Sequence, residues 1–241
     1  MLNVNNSFVK STLLSNISHI THGFSCKSAG DMRNAVKLKE FTKTLALSDN
    51  FFQPTQIHGH TIIVNPNDTK PVPADGILVF RNRSLIRSIG VLTADCIPLL
   101  FTDVHGSFIG AVHSGWKGTQ QNICSTMISY IQNAGVQYED IRVSIGPHIG
   151  SCCYVVKEDR IRIFEKEFGN VSNFAYVNNG EWHLDLGRLI LKQLELCGLH
   201  THQIDSGVFC TCCQKNMFFS YRRDSKELFG EMVATIGFTN S

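Results

Sequence analysis

The chain has 241 residues, 43% hydrophobic, 10% aromatic and 17% charged, with 22 Lys and Arg against 20 Asp and Glu for a formal net charge of +2. Disordered chains carry more charge and fewer aromatics, and the balanced charge excludes a polybasic face for a nucleic-acid backbone or a membrane surface. Residues 1–20 lack a cationic start followed by an apolar run, and the most apolar window, Ile89 to Phe101, is broken by Asp95, Cys96 and Pro98. Neither a secretory signal nor a membrane span is expected. Nine Cys without a secretory address predict reduced thiols or metal ligands and a cytoplasmic location.

In chain order, a helix is predicted after Asp31, with Ala35, Leu38, Phe41 and Leu45 on one face. A strand at Thr61–Val64 leads into a Pro-rich surface loop from Asn65 to Pro73. Strands follow at Ile77–Phe80, Ile86–Thr93, Pro98–Phe101 and Ser107–Val112, too close together for crossover helices, so these pair antiparallel. Ile123, Met127, Ile128 and Ile131 form a second helical stripe stopped by Gly135, before a strand at Ile141–Ile145. Asp185 caps a third helix carrying Leu186, Leu189, Ile190 and Leu194 and ending at Gly198. Strands at Gln203–Phe209, Met217–Tyr221 and Met232–Phe238 complete the chain. The pattern predicts an α/β fold: one mixed-sheet domain over residues 1–241, with helices packed on layered, largely antiparallel sheets.

Reactive side chains gather at the ends of predicted strands, where rigid scaffolds display functional groups. His58, Cys96 and His113 together offer two imidazoles and a thiolate, a donor set for Zn(II) or copper that leaves a fourth position open. Taken singly, Cys96 is more often a small buried hydrophobe and each His more often a satisfied structural residue. Gly115 and Gly118 around Trp116-Lys117, and the turn Ile145-Gly146-Pro147-His148-Ile149-Gly150, either expose backbone N–H groups to an anion or merely permit tight turns. Tyr221-Arg222-Arg223-Asp224 offers guanidinium forks for phosphate, or a surface salt bridge. Cys210-Thr211-Cys212-Cys213 contains a C-x-x-C pair with no second pair at zinc-ribbon spacing, and reads as unpaired structural thiols. His60, His200 and His202 read as exposed loop imidazoles.

Seven motifs occur in the order seen in one family: His22-Gly23-Phe24-Ser25, Gln56-Ile57-His58-Gly59, Ala74-Asp75-Gly76, Thr93-Ala94-Asp95-Cys96-Ile97-Pro98, Ala111-Val112-His113-Ser114-Gly115-Trp116, Ile145 to Gly150 and Phe219 to Asp224. In these the chain resembles the YfiH-like purine nucleoside phosphorylase family, also called the laccase-domain or multicopper polyphenol oxidase family. The resemblance implies helices around layered sheets and a zinc site at His58, Cys96 and His113. It also implies phosphorolysis of adenosine, inosine and methylthioadenosine, adenosine deamination, or a copper-linked oxidation of phenols. The chain departs from the family pattern at Lys27, Lys117 and Glu231, where Arg is usual, and at Ala29-Gly30, where Gly-Gly is usual. Lys keeps the charge but not the bidentate fork, and Glu231 reverses it.

The leading expectation is a zinc-dependent enzyme on purine nucleosides, with small-molecule substrates and neither nucleic acid nor membrane as partner. Phosphorolysis would use Lys27, Lys117, Arg222 and Arg223 to hold phosphate, and the metal or Asp95 to assist the leaving purine. Deamination would use zinc, which lowers the pKa of bound water to about 7, with Asp95 or Asp75 moving protons. The alternatives are a copper-dependent polyphenol oxidase, a metal-free hydrolase in which Cys96 and His113 are nucleophile and base, and a thiol-rich binding protein.

Overall fold

The computed structural model describes residues 2–5, 7–207, 209–224 and 229–239. The chain opens with β1 (Leu2–Val4), β2 (Phe8–Ser11), α1 (Thr12–Ser15), β3 (Ile20–Ser25), α2 (Ala35–Thr44), β4 (Phe51–Phe52) and β5 (Ile62–Val64). The central run is β6 (Gly76–Phe80), β7 (Ser88–Thr93), β8 (Ile97–Asp103), β9 (Phe108–Ser114), α3 (Trp116–Gln120), α4 (Ile123–Asn133) and β10 (Ile141–Ile145). It closes with β11 (Val155–Val156), α5 (Glu158–Phe168), β12 (Ala175–Asn178), β13 (Glu181–Leu184), α6 (Leu186–Leu196), β14 (Ile204–Ser206) and β15 (Met232–Phe238).

Two six-stranded sheets, ordered β1-β2-β3-β15-β7-β4 and β14-β10-β8-β9-β6-β5, stack face to face, and β11-β13-β12 form a small third sheet. The central strands are apolar at almost every position because both faces are covered. Ile77, Val79, Leu100, Ile109 and Ala111 point toward the first sheet, meeting Phe24, Ile89, Val91, Ala234 and Ile236. Their neighbours Leu78, Phe80, Leu99, Phe101, Phe108 and Val112 face α4, α5 and α6, with Met127, Ile131, Phe164 and Ile190 opposite. On the far side of the first sheet, Phe41 and Leu45 of the α2 segment pack on Val233 and Leu92. The layers are therefore helix, sheet, sheet, helices, and the expected mixed α/β class with mostly antiparallel sheets is what the chain adopts. The parallel pairings, β4 with β7, β5 with β6 and β10 with β14, all lie at sheet edges.

Three local expectations change. The first long helix begins after Asn34, whose side chain accepts from the Val36 and Lys37 N–H groups, while Asp31 pairs with Arg33. The segment Met217–Tyr221 is irregular rather than a strand, and the Arg223 guanidinium donates to its Phe218 carbonyl as well as to the Thr211 and Cys212 carbonyls. The last short strand stops at Ser206, and position 208 of the predicted 203–209 strand lies outside the described residues. No helix among the described residues is long and apolar enough to cross a membrane.

His22 on β3 is buried, and its Nε2 accepts the Ser11 N–H at 2.9 Å, so the native ring is neutral. Burial, helped by Lys10, pulls its pKa down to about 4 from an ordinary 6.5. The unfolded chain binds this proton first, so stability present above pH 6.5 is lost as pH falls toward 4. The depression is worth about 3 kcal/mol. Urea midpoints of metal-free protein at pH 7 and pH 4.5 should converge in His22→Gln relative to wild type; equal pH slopes in the two proteins would contradict this.

Candidate metal centre

Strand register assembles the site. The β8–β9 hairpin pairs Ile97 with Ser114 and Pro98 with His113, which sets Cys96, one residue before β8, beside His113 near the end of β9. Pairing of Gly76 with Val112 sets Asp75 beside His113, and the parallel register of Ile62 with Gly76 brings the loop before β5, with His58, to the same end of the sheet. The ligand atoms of His58, Cys96 and His113 all lie within 4.8 Å of one another, and the two imidazoles meet edge to face at a centroid distance of 4.8 Å. Gly115 keeps this space clear: a Cβ there would sit 3.2 Å from Cys96 Sγ and 3.3 Å from His58 Cδ2.

Asp75 organises the donors from behind. Its Oδ1 accepts from His113 Nδ1 at 2.9 Å and from the His58 N–H at 3.0 Å, and its Oδ2 accepts the Gly59 N–H at 2.6 Å. His58 itself holds the left-handed φ of 57°, a strained conformation that the Asp75 contacts stabilise. With Nδ1–H directed at Asp75, Nε2 is the nitrogen of His113 that a cation would take on displacing its proton, the arrangement that metal-binding histidines use. Burial alone pushes the Asp75 carboxyl up; the His113 imidazole and the loop N–H groups outweigh it and hold the group below the usual carboxylate range. Burial likewise pushes the Cys96 thiol up, but His113 and His58 bring it down to about 7. Burial pushes His113 down, and Cys96 and Asp75 reverse this, raising it to about 9. The triad thus favours a thiolate, the form of sulfur that binds a cation.

The three donors open into a cleft of about 660 Å³, lined by Trp116, Tyr154, Tyr221, Phe229 and Glu231 among others. Its cationic groups are Arg160, 4.0 Å from the Trp116 ring centroid, and Arg222, which donates to the Val155 carbonyl at 2.9 Å. Arg160 was not foreseen, because its helix, α5, has so many charged residues that only Ile161 and Phe164 mark a buried face. Of the other predicted phosphate ligands, Lys27 and Lys117 are exposed and do not line the cleft. Arg223 is engaged by Asp224 and by three carbonyls beneath the surface loops. Asp95 reaches the cleft wall, but its carboxylate accepts from Thr211 Oγ1 at 2.6 Å, Ser220 Oγ at 3.0 Å and the Arg222 N–H at 2.6 Å. Burial holds the Glu231 carboxyl above its usual range.

The glycine turns have steric reasons. A Cβ on Gly146 would fall 2.3 Å from the Phe24 ring, and the helix after Gly115, α3, has only five residues. His60 pairs with Gln121 Oε1, and His200 stacks on His202, none of them lining the cleft. Among the described residues a second group of close ligand atoms exists: Cys210 and Cys213 of the C-x-x-C pair are joined by Cys152 and Cys153, so these thiols are not isolated.

Residues 19–239 match the family described as multi-copper polyphenol oxidoreductase laccase. A purine nucleoside phosphorylase of Clostridium acetobutylicum is 35% identical over 183 residues, 75% of this chain and 74% of that protein. Adenosine deaminase RL5, from an unknown prokaryotic organism, is 27% identical over 82% of this chain and 80% of its own length. Among solved structures, the hypothetical protein YfiH of Bacillus licheniformis superposes with a TM-score of 0.84 at 25% identity, covering 99% of each chain.

Proposed function

Because the chain belongs to the multi-copper polyphenol oxidoreductase laccase family, we propose that its cleft is the active site of a metal-dependent enzyme that cleaves purine nucleosides with phosphate, releasing the free base and ribose 1-phosphate. The observation that carries this reading is the convergence of two imidazoles and one thiolate on a cleft of nucleoside size with aromatic walls. The donor set fits zinc: three protein ligands, a His113 tautomer fixed by Asp75, and room kept by Gly115. Copper fits the same donors as a single centre, and His60, His200 and His202 do not extend it into a multinuclear one.

In phosphorolysis a phosphate oxygen forms a bond to the ribose anomeric carbon as the carbon–nitrogen bond to the purine breaks, and the hydrogen carried by the phosphate ends on the purine. Positive charge develops on the sugar and negative charge on the departing base. Trp116, Tyr154 and Tyr221 offer faces for the purine, whose planar ring favours offset stacking. Arg160 and Arg222 hold the phosphate dianion, and Asp95, held by three donors, keeps the Arg222 backbone in place. When bound, the divalent ion supplies positive charge and Lewis acidity at the cleft floor.

Arg160→Ala is expected to raise KM for phosphate about 10- to 100-fold, the worth of a charge-assisted hydrogen bond, with a smaller change in KM for adenosine. Arg160→Lys should restore only part of it, since the point charge lacks the fork. Initial rates at varied phosphate check this, and an unchanged phosphate KM would remove Arg160 from the phosphate site.

Adenosine deamination is the second reading, favoured by the similarity to adenosine deaminase RL5. Purified protein incubated with adenosine, with and without phosphate, separates the two: adenine and ribose 1-phosphate form only with phosphate, inosine forms without it. Neither product above a Cys96→Ala control would refute both. Phenol oxidation that survives in copper-free, zinc-loaded protein would exclude copper as its agent.

A further inference from the structure

We propose that Cys152, Cys153, Cys210 and Cys213 form a second metal site, a closed tetrathiolate centre for zinc that staples two loops behind the cleft. The four sulfurs, all free thiols, lie within 4.8 Å of one another. Cys213 Sγ is 3.5 Å from Cys152 Sγ and 3.3 Å from Cys153 Sγ. A tetrahedral zinc with bonds of about 2.3 Å to sulfur sets sulfur–sulfur edges of roughly 3.8 Å, within the range spanned here. The Gly150 N–H donates to Cys210 Sγ at 3.2 Å, the kind of backbone contact that supports a thiolate ligand. Thiolate-only donors select soft or borderline cations, and four of them leave no open position, so the centre is structural.

The location gives such a centre something to do. Residues 149–154 and 209–217 are turns rather than paired strands, and Cys153 and Cys213 are 60 residues apart in sequence. Their backbones meet at the isolated bridge of His148 with Cys210, with contacts such as Thr211 N–H to the His148 carbonyl at 3.0 Å. Both loops support the cleft wall. Thr211 Oγ1 donates to Asp95, the Arg222 guanidinium donates to the Cys153 carbonyl, and Tyr154, next to Cys153, lines the cleft. A divalent ion bound by four thiolates would fix these two loops to each other, as metal does in small loop-rich modules. The site is separate from the His58–Cys96–His113 triad and stands whether or not that triad performs the chemistry proposed above.

Elemental analysis and native mass spectrometry of the full, untagged chain, purified with neither chelator nor added metal, should find two zinc ions per chain. His113→Ala should retain one, and Cys152→Ser/Cys213→Ser should retain the other. Cobalt substitution of the wild-type chain, which needs no variant, should give an intense sulfur-to-cobalt charge-transfer band of a four-thiolate centre that persists in His113→Ala. One ion lost in the cysteine variant but kept in His113→Ala would support the tetrathiolate centre while removing the triad's metal. A single ion abolished by His113→Ala, with these four thiols titrating freely or linked as disulfides, would overturn the proposal.

Discussion

Asp75→Asn is expected to lower the affinity of the His58–Cys96–His113 site for zinc about 10- to 100-fold, the usual effect of altering the partner behind a ligating histidine. The physical reason is a shortage of acceptors. In the native chain one Asp75 oxygen serves His113 Nδ1 and the His58 N–H, and the other serves the Gly59 N–H. An amide keeps only one acceptor. If its NH₂ faces His113, the ring must carry its proton on Nε2, the atom that would ligate. If the NH₂ faces Gly59, two donors oppose each other and the 57–59 loop moves, taking His58 with it. A buried donor left unpaired costs roughly 1–3 kcal/mol. Two such losses, about 2–6 kcal/mol together, lower the melting temperature of a chain this size by roughly 4–24 °C. Competition with a chromophoric chelator measures the affinity, and thermal unfolding of the metal-free chain measures the stability. Unchanged values in both would mean that Asp75 is a bystander.

The ease of reading this protein from its sequence followed burial. The central strands were legible because β6, β8 and β9 are buried at every position and so present unbroken apolar runs. By contrast, β1 and β2 are short, and β1 pairs at the sheet edge with two of its three residues exposed, so no alternation announces them. Met217–Tyr221 has the apolar and aromatic content of a strand, yet it leaves the sheet and offers the Phe218 carbonyl to Arg223, a use of the chain that composition does not reveal. At the candidate metal centre, no local spacing links His58, Cys96 and His113. They meet through the register of β5, β6, β8 and β9; donor chemistry suggests them as a set, and the resemblance to a family strengthens that reading. The four cysteines escaped for the same reason: two loops 60 residues apart each supply an ordinary pair.

Asp95 allows the sharpest separation of chemistry from architecture. It stands where the chain crosses from β7 in one sheet to β8 in the other, at a left-handed φ of 88°, and its own carbonyl accepts the Ile149 N–H. Its carboxylate ties together Thr211, Ser220 and the Arg222 backbone. Asp95→Asn is expected to keep kcat/KM within about tenfold of wild type, less than the 10²- to 10⁴-fold that general acid–base groups contribute. The asparagine oxygen can accept from Ser220 and Arg222, while its NH₂ can donate to the Thr211 hydroxyl, and Asn tolerates positive φ. Asp95→Ala loses all three bonds and sets a residue with no left-handed preference at this bend, so kcat/KM should fall about 100-fold as the Arg222 loop comes free. Asp95→Gly, which relieves the backbone but supplies no acceptor, should fall nearly as far, and thereby assigns the loss to the missing hydrogen bonds rather than to strain. The pH–rate profile of the Asn variant is the deciding readout. A carboxylate that only positions its neighbours leaves both limbs in place, whereas a proton carrier takes one limb with it. Loss of a limb, together with a fall in Asn as deep as in Ala, would return Asp95 to the reaction itself.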